Sequence, residues 1–186
     1  MRAGVTFSVC VFCGSSSGDN PRFGDAARDT GHAIARRGWT LVYGGGRVGL
    51  MGVLANAALE AGGTVVGVIP RFLYEWEVGH DGLTRLEIVE TLTERKQRMG
   101  ELSGAFLSLP GGIGTLDELF EAWSWAQLGL QPKPSALLNV AGYYDGLVGF
   151  LDRATASGFM KPQHRALLAV GTDPDRLLDA LNLAAS

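Results

Sequence analysis

Cysteine is scarce in this chain. Cys10 and Cys13 are the only two in 186 residues, too few for a disulfide framework or a four-ligand structural zinc site. They flank a stretch that reads as a strand, where positions three apart point to opposite faces, so two buried free thiols are expected rather than a bridge. Long apolar runs are missing as well: nothing approaches the roughly 20 residues of a membrane helix. There is no excess of positive charge, since 16 Lys and Arg face 19 Asp and Glu for a net charge of −3. That balance argues against nucleic acid or an anionic membrane as a partner. The three histidines, His32, His80 and His164, are scattered without ligand spacing, so no metal is expected. Segment 1–8 has a single charge and no long apolar stretch; no secretory leader is expected, and the cytosol is the expected compartment.

What is present fits a single globular domain over residues 1–186, long enough to bury roughly 70% of its unfolded surface without staples. Hydrophobic residues reach 46% against 19% charged, apolar enough to expect a second subunit and hence a homodimer. Apolar runs of strand length over 5–12, 39–43, 64–69, 86–89, 105–109, 135–140 and 167–170 alternate with helical stretches. The helices are expected over 21–37, 49–61, 92–102, 115–127, 144–157 and 174–183. Segment 71–82, mixing Phe72, Tyr74, Trp76 and His80 with Glu75 and Glu77, has no clean period and reads as a functional loop. Near-continuous apolar strands alternating with helices predict an α/β chain: a Rossmann-like, doubly wound parallel sheet with helices on both faces.

In such a sheet, ligands bind beyond the carboxyl ends of the strands. Three of the turns there are rich in glycine or serine: Gly14-Ser15-Ser16-Ser17-Gly18, Gly44-Gly45-Gly46, and Gly111-Gly112-Ile113-Gly114-Thr115. Glycine lets backbone approach a ligand, and the free N–H groups at the start of a helix attract phosphate. Ser16, Gly45 and Gly46 are therefore expected to contact substrate alongside the third turn. Gly44-x-Gly46-x-x-Gly49 also matches the dinucleotide fingerprint, but the next strand ends Val68-Ile69-Pro70-Arg71 without the acidic residue that fingerprint needs. A lysine-bearing phosphate loop is absent.

Thr115-Leu116-Asp117-Glu118 admits two readings. Thr-x-x-Glu before an apolar run is a capping box, in which Thr115 caps the helix and Glu118 reaches back. A carboxylate beside a phosphate-holding turn is equally placed to face a nucleotide's sugar, where glycosidic cleavage builds positive charge. The run Glu94-Arg95-Lys96-Gln97-Arg98-Met99 is either a solvated helix face or an anion site, with Arg95 and Arg98 three apart on one side.

Pro110-Gly111-Gly112-Ile113-Gly114-Thr115-Leu116-Asp117-Glu118 resembles the PGGxGTxxE signature of the LONELY GUY (LOG) proteins, once labelled lysine decarboxylase-like. The resemblance takes in Cys13-Gly14-Ser15-Ser16, Tyr43-Gly44-Gly45-Gly46, Gly49-Leu50-Met51-Gly52, Glu94-Arg95-Lys96 with Met99, and Trp125-Ala126-Gln127-Leu128-Gly129. It implies a Rossmann-like fold, at least a dimer, and hydrolysis of N6-substituted adenosine 5′-monophosphates to free base and ribose 5-phosphate, without a cofactor. By this resemblance Arg95 and Glu118 are the catalytic pair. Arg95, Lys96, Gly111, Gly112, Ile113, Gly114, Thr115, Leu116 and Asp117 match nucleotide-binding positions, Glu77 a substrate-contacting glutamate, and Ser124 the place of a threonine. Where the family often has Met-His before Glu-Arg-Lys, this chain has Leu92-Thr93. The older label fails on chemistry, because Lys96, Lys133 and Lys161 are the only lysines and none has the context of a pyridoxal phosphate site.

Two rival functions share these features. A non-catalytic nucleotide or cofactor carrier would use the glycine turns without Glu118, and a nicotinamide-dependent oxidoreductase would use Arg71 to read a 2′-phosphate.

Overall fold

The computed structural model describes residues 6–77 and 79–185, with Glu77 described by its backbone alone. Seven strands form one all-parallel sheet: β1 (Ser8–Phe12), β2 (Thr40–Tyr43), β3 (Thr64–Pro70), β4 (Arg85–Val89), β5 (Ala105–Ser108), β6 (Ser135–Leu138) and β7 (Leu168–Gly171). Their order is β4-β3-β2-β1-β5-β6-β7. The chain works outward from β1 to one edge, then returns to place β5 against the other side of β1. Loops leaving β1 and β5 therefore diverge, and a crevice opens between them at the carboxyl end of the sheet.

Side chains on β1 alternate between two cores, as period-2 geometry requires. Val9 and Val11 pack with Ala27 and Ile34 of α1 (Pro21–Arg36), Leu50 and Leu54 of α2 (Gly49–Glu60), and Leu178 of α8 (Pro174–Ala185). Cys10 and Phe12 face the other way, toward Met99 of α4 (Leu92–Glu101) and Ala122 of α5 (Ile113–Gln127). A third cluster joins Leu119 and Trp123 of α5 to Leu151 of α6 (Asp145–Ala156). Helices thus cover both faces, as the sequence predicts. Cys13 belongs to the first core and Cys10 to the second, and both are buried free thiols.

The element list departs from expectation in three places. The stretch expected to be an irregular loop contains a short helix, α3 (Arg71–Glu77), which rises directly from β3. A one-turn helix, α7 (Pro162–Arg165), was hidden by its four-residue length. Val5, expected to open the first strand, lies outside the described residues. The third departure concerns α5, which starts at Ile113 with extended Gly112 as its cap and no side-chain capping bond. Thr115 is accordingly inside the first turn, and the capping-box reading of Thr115 and Glu118 is wrong. Any residue can close a helix through its carbonyl, and here Gly112 O accepts the first helical bond, from Leu116 N–H at 3.1 Å. A true capping box stands at α4: Thr91 Oγ1 accepts from Glu94 N–H at 3.1 Å while the Glu94 carboxylate accepts from Thr91 N–H.

Candidate active site

Glu94 is committed to the cap, and that fixes the start of α4 and the direction of the next two residues. Arg95 lies one turn before buried Met99, so it turns in over the end of the sheet. Its Nε donates to Val68 O of β3 and its Nη2 to Gly44 O just past β2, each at 3.1 Å. This close approach requires glycine at position 44, where a Cβ would strike the guanidinium. Arg98 separates from Arg95 and pairs with Glu87 of β4 and with Glu101. The two arginines do not form one anion site.

Glu118 stands a little over one turn into α5, facing Arg95. Its Oε1 is 3.9 Å from Arg95 Nη2, and both side chains are only 12% exposed. Among the described residues Glu118 makes no hydrogen bond, so the carboxylate is nearly buried, uncapped and held just out of bonding reach of a fixed cation. Burial raises its pKa above the usual glutamate value; Arg95 and Lys96 oppose that shift, and Asp117 and Glu121 reinforce it. The neighbouring Cys13 thiol is also pushed up, by burial first and then by Glu118, which keeps it protonated and unreactive.

Arg95 and Glu118 share a cavity of about 310 Å³ with Gly112, Ile113, Gly114 and Thr115. Among the described residues the N–H groups of Gly112 to Thr115 find no acceptor. The start of α5 therefore presents unpaired donors and a positive helix end to the same space as the carboxylate. Cys13, Gly14, Ser15, Met51, Leu73 of α3 and Leu92 supply the remaining wall. Leu73 could be found only through the fold, because nothing in its local sequence marks it, whereas Met51 lies in the Gly49–Gly52 motif without a role assigned to it.

The other expected residues divide. Lys96 Nζ reaches Asp117 at 2.9 Å and also Glu121, tying α4 to α5. Burial alone would lower the lysine pKa, but the bonds it donates to Glu121 and Asp117 raise it. Leu116 packs against the third core cluster. Gly111 lines a second cavity of about 260 Å³ with Ser16, Ser17, Phe23 and Tyr143, which shares Gly14, Ser15 and Gly112 with the first. Gly45 and Gly46 are buried and face neither cavity; Gly45 O accepts from His80 N–H, and Gly46 pairs with Gly79. Ser124 is exposed farther along α5, away from both cavities. Glu77 ends α3 with its side chain outside the described part of the chain. His80 bonds Asn56 at 2.7 Å, and Arg71 pairs with Glu90. Trp76, 76% exposed, meets Phe72 edge-on and is not core. Among the described residues no group of three or more His, Cys, Asp or Glu is placed to hold a metal ion, and no helix among them is long and apolar enough to cross a membrane.

A family profile described as "Possible lysine decarboxylase" matches residues 51–181. The chain is 48% identical over 175 residues to the cytokinin riboside 5′-monophosphate phosphoribohydrolase of Rhodococcoides fascians, covering 94% of this chain and 88% of that one. To a protein of the same name from Arabidopsis thaliana it is 46% identical over 173 residues, covering 93% and 76%. Among solved structures, the molybdenum cofactor binding protein of Rippkaea orientalis aligns with a TM-score of 0.75 at 19% identity, over 99% of this chain and 100% of that one. The molybdenum cofactor carrier protein of Chlamydomonas reinhardtii gives 0.73 at 22% identity, over 97% and 98%. At those identities the likeness is one of fold. The profile spans most of the sequence and relatives of nearly half identity run almost end to end, so the chain belongs to the LONELY GUY family.

Proposed function

We propose that this protein hydrolyses the N-glycosidic bond of N6-substituted adenosine 5′-monophosphates, and of AMP itself, to the free base and ribose 5-phosphate. The observation that carries this reading is a nearly buried carboxylate, Glu118, without a hydrogen-bond partner among the described residues. It opens into the cavity that also holds the unpaired amides of α5 and the Arg95 guanidinium. The amides and the helix end receive the 5′-phosphate. Glu118 faces C1′, where it stabilises the developing oxocarbenium ion and orients water. The water oxygen bonds to C1′ as the C1′–N bond breaks, and a water proton is left for the departing base. Arg95, held by two strand-end carbonyls, stands beside that base. Lys96 and Asp117 support the site by holding α4 against α5.

Two coarser features accompany this reading. Exposed apolar side chains on and just after α5, with Ile113 88%, Leu128 63% and Leu130 72% exposed, support a homodimer. The cytosol is the compartment we assign. The test is chromatography after incubation with a panel of nucleoside monophosphates, nucleosides and triphosphates. Base release from monophosphates alone is the expected result; tight binding with no base released would instead favour the carrier reading.

A further inference from the structure

The turn between β5 and α5 is pinned from outside by three consecutive carbonyls. Tyr144 Oη donates to Leu109 O at 2.6 Å, Gly14 N–H to Pro110 O at 3.1 Å, and Tyr143 Oη to Gly111 O at 2.7 Å. The two tyrosines are adjacent in sequence and hang from a tight 3₁₀ turn, Val140–Gly142, in which Ala141 sits at φ 53°. An alanine side chain resists that conformation, yet Asn139 braces the turn, donating to Asp145 and accepting from Tyr144 N–H. Tyr144 is buried, which accounts for its bond as part of the core. Tyr143 is 46% exposed and lines the second cavity, so burial does not account for its bond.

A trans peptide is planar, and its C=O and following N–H point in opposite directions. Holding Gly111 O toward Tyr143 therefore sends Gly112 N–H to the other side of the turn. Gly112 lines both cavities, whereas Tyr143 lines only the second. We infer that Tyr143 is a positioning residue for the phosphate: its hydroxyl aims the Gly112 amide, and with it the first turn of α5, into the catalytic cavity. This inference rests on the function proposed above and adds to it a residue remote from the signature motif.

Tyr143→Phe removes the hydroxyl and keeps the ring that meets Phe23 edge-on. The dissociation constant for ribose 5-phosphate, measured by calorimetry, is expected to rise up to about tenfold, with KM for AMP rising in parallel and kcat staying within about threefold. Binding of free adenine, titrated alongside, stays as in the parent. Three outcomes overturn the inference: unchanged affinity for ribose 5-phosphate, a loss confined to kcat, or equal losses for ribose 5-phosphate and adenine. The parent protein is assayed first. If it releases no base from any monophosphate, the proposed function fails; if it does and Tyr143→Phe behaves like it, only the role of Tyr143 fails.

Discussion

Two glycine turns stand at the carboxyl end of the same sheet and look interchangeable when written out, yet they do opposite jobs. The one after β2 is closed: Gly44, Gly45 and Gly46 are buried, and the room left by the absent Cβ at Gly44 is filled by Arg95. The one after β5 is open, with Gly112 and Gly114 exposed and donors left unpaired. Absent side chains in the first turn admit another part of the protein, and in the second they leave open space, which the proposed function gives to the phosphate. Glycine content at a strand end signals close approach; what approaches depends on the neighbouring elements.

Substitutions can break this contrast, and the largest effect belongs to the residue between the two turns. Glu118→Gln is expected to lower kcat on AMP by roughly 10²–10⁴-fold while leaving the fold intact. The folded-state pKa of Glu118 is raised, so its contribution to stability is fully present below the unfolded pKa and declines as pH rises through the folded value. Once ionised, the buried carboxylate therefore costs stability, so above the folded-state pKa the glutamine variant should melt no lower than the parent. Hydrolysis needs the ionised form, so the acid limb of the pH–rate profile should lie above 4.5, the ordinary glutamate value. Near-full turnover by the variant would remove Glu118 from the chemistry.

A smaller loss is expected from the closed turn. Gly44→Ala places a methyl where the guanidinium lies; displacing Arg95 should cost about 10²-fold in kcat/KM, although position 44 lines neither cavity. Unaltered kinetics would mean that the bond to Gly44 O is dispensable. The smallest effect belongs to the open turn. A Cβ at Gly114 meets nothing within 4 Å, so Gly114→Ala should raise stability by up to about 1 kcal/mol through helix propensity. The methyl enters the space assigned to phosphate, so KM should rise while the melting temperature does too. A lower melting temperature would show that this turn is packed like the closed one.

Much of this was legible from residue order. Strand-length apolar runs alternating with helices specify the parallel sheet, because both faces need cover, and the signature from Pro110 to Glu118 marks the chemical end of it. Segments with weak local patterns escaped. Helix α3 is seven residues long and mixes aromatic with charged side chains, leaving no period to read. Thr-x-x-Glu at Thr115 and Glu118 admits a capping box as readily as a sugar-facing carboxylate and the pattern alone does not choose, while the box that exists at Thr91 and Glu94 lies beside a conspicuous run of charge that draws the eye away from it. Gly45 and Gly46 were expected at the ligand because sequence does not reveal that Arg95 and the His80 strap occupy the space around their turn. Tyr143 and Tyr144 act on a turn 32 and 35 residues away, a pairing that only the tertiary fold brings about.

The two carbonyls that hold Arg95 belong to neighbouring strand ends, so the place of that cation is a measure of sheet registry. A chain whose second and third strands have not aligned does not hold Arg95 in this place. On the proposed function, hydrolysis thus depends on those two strands being in register.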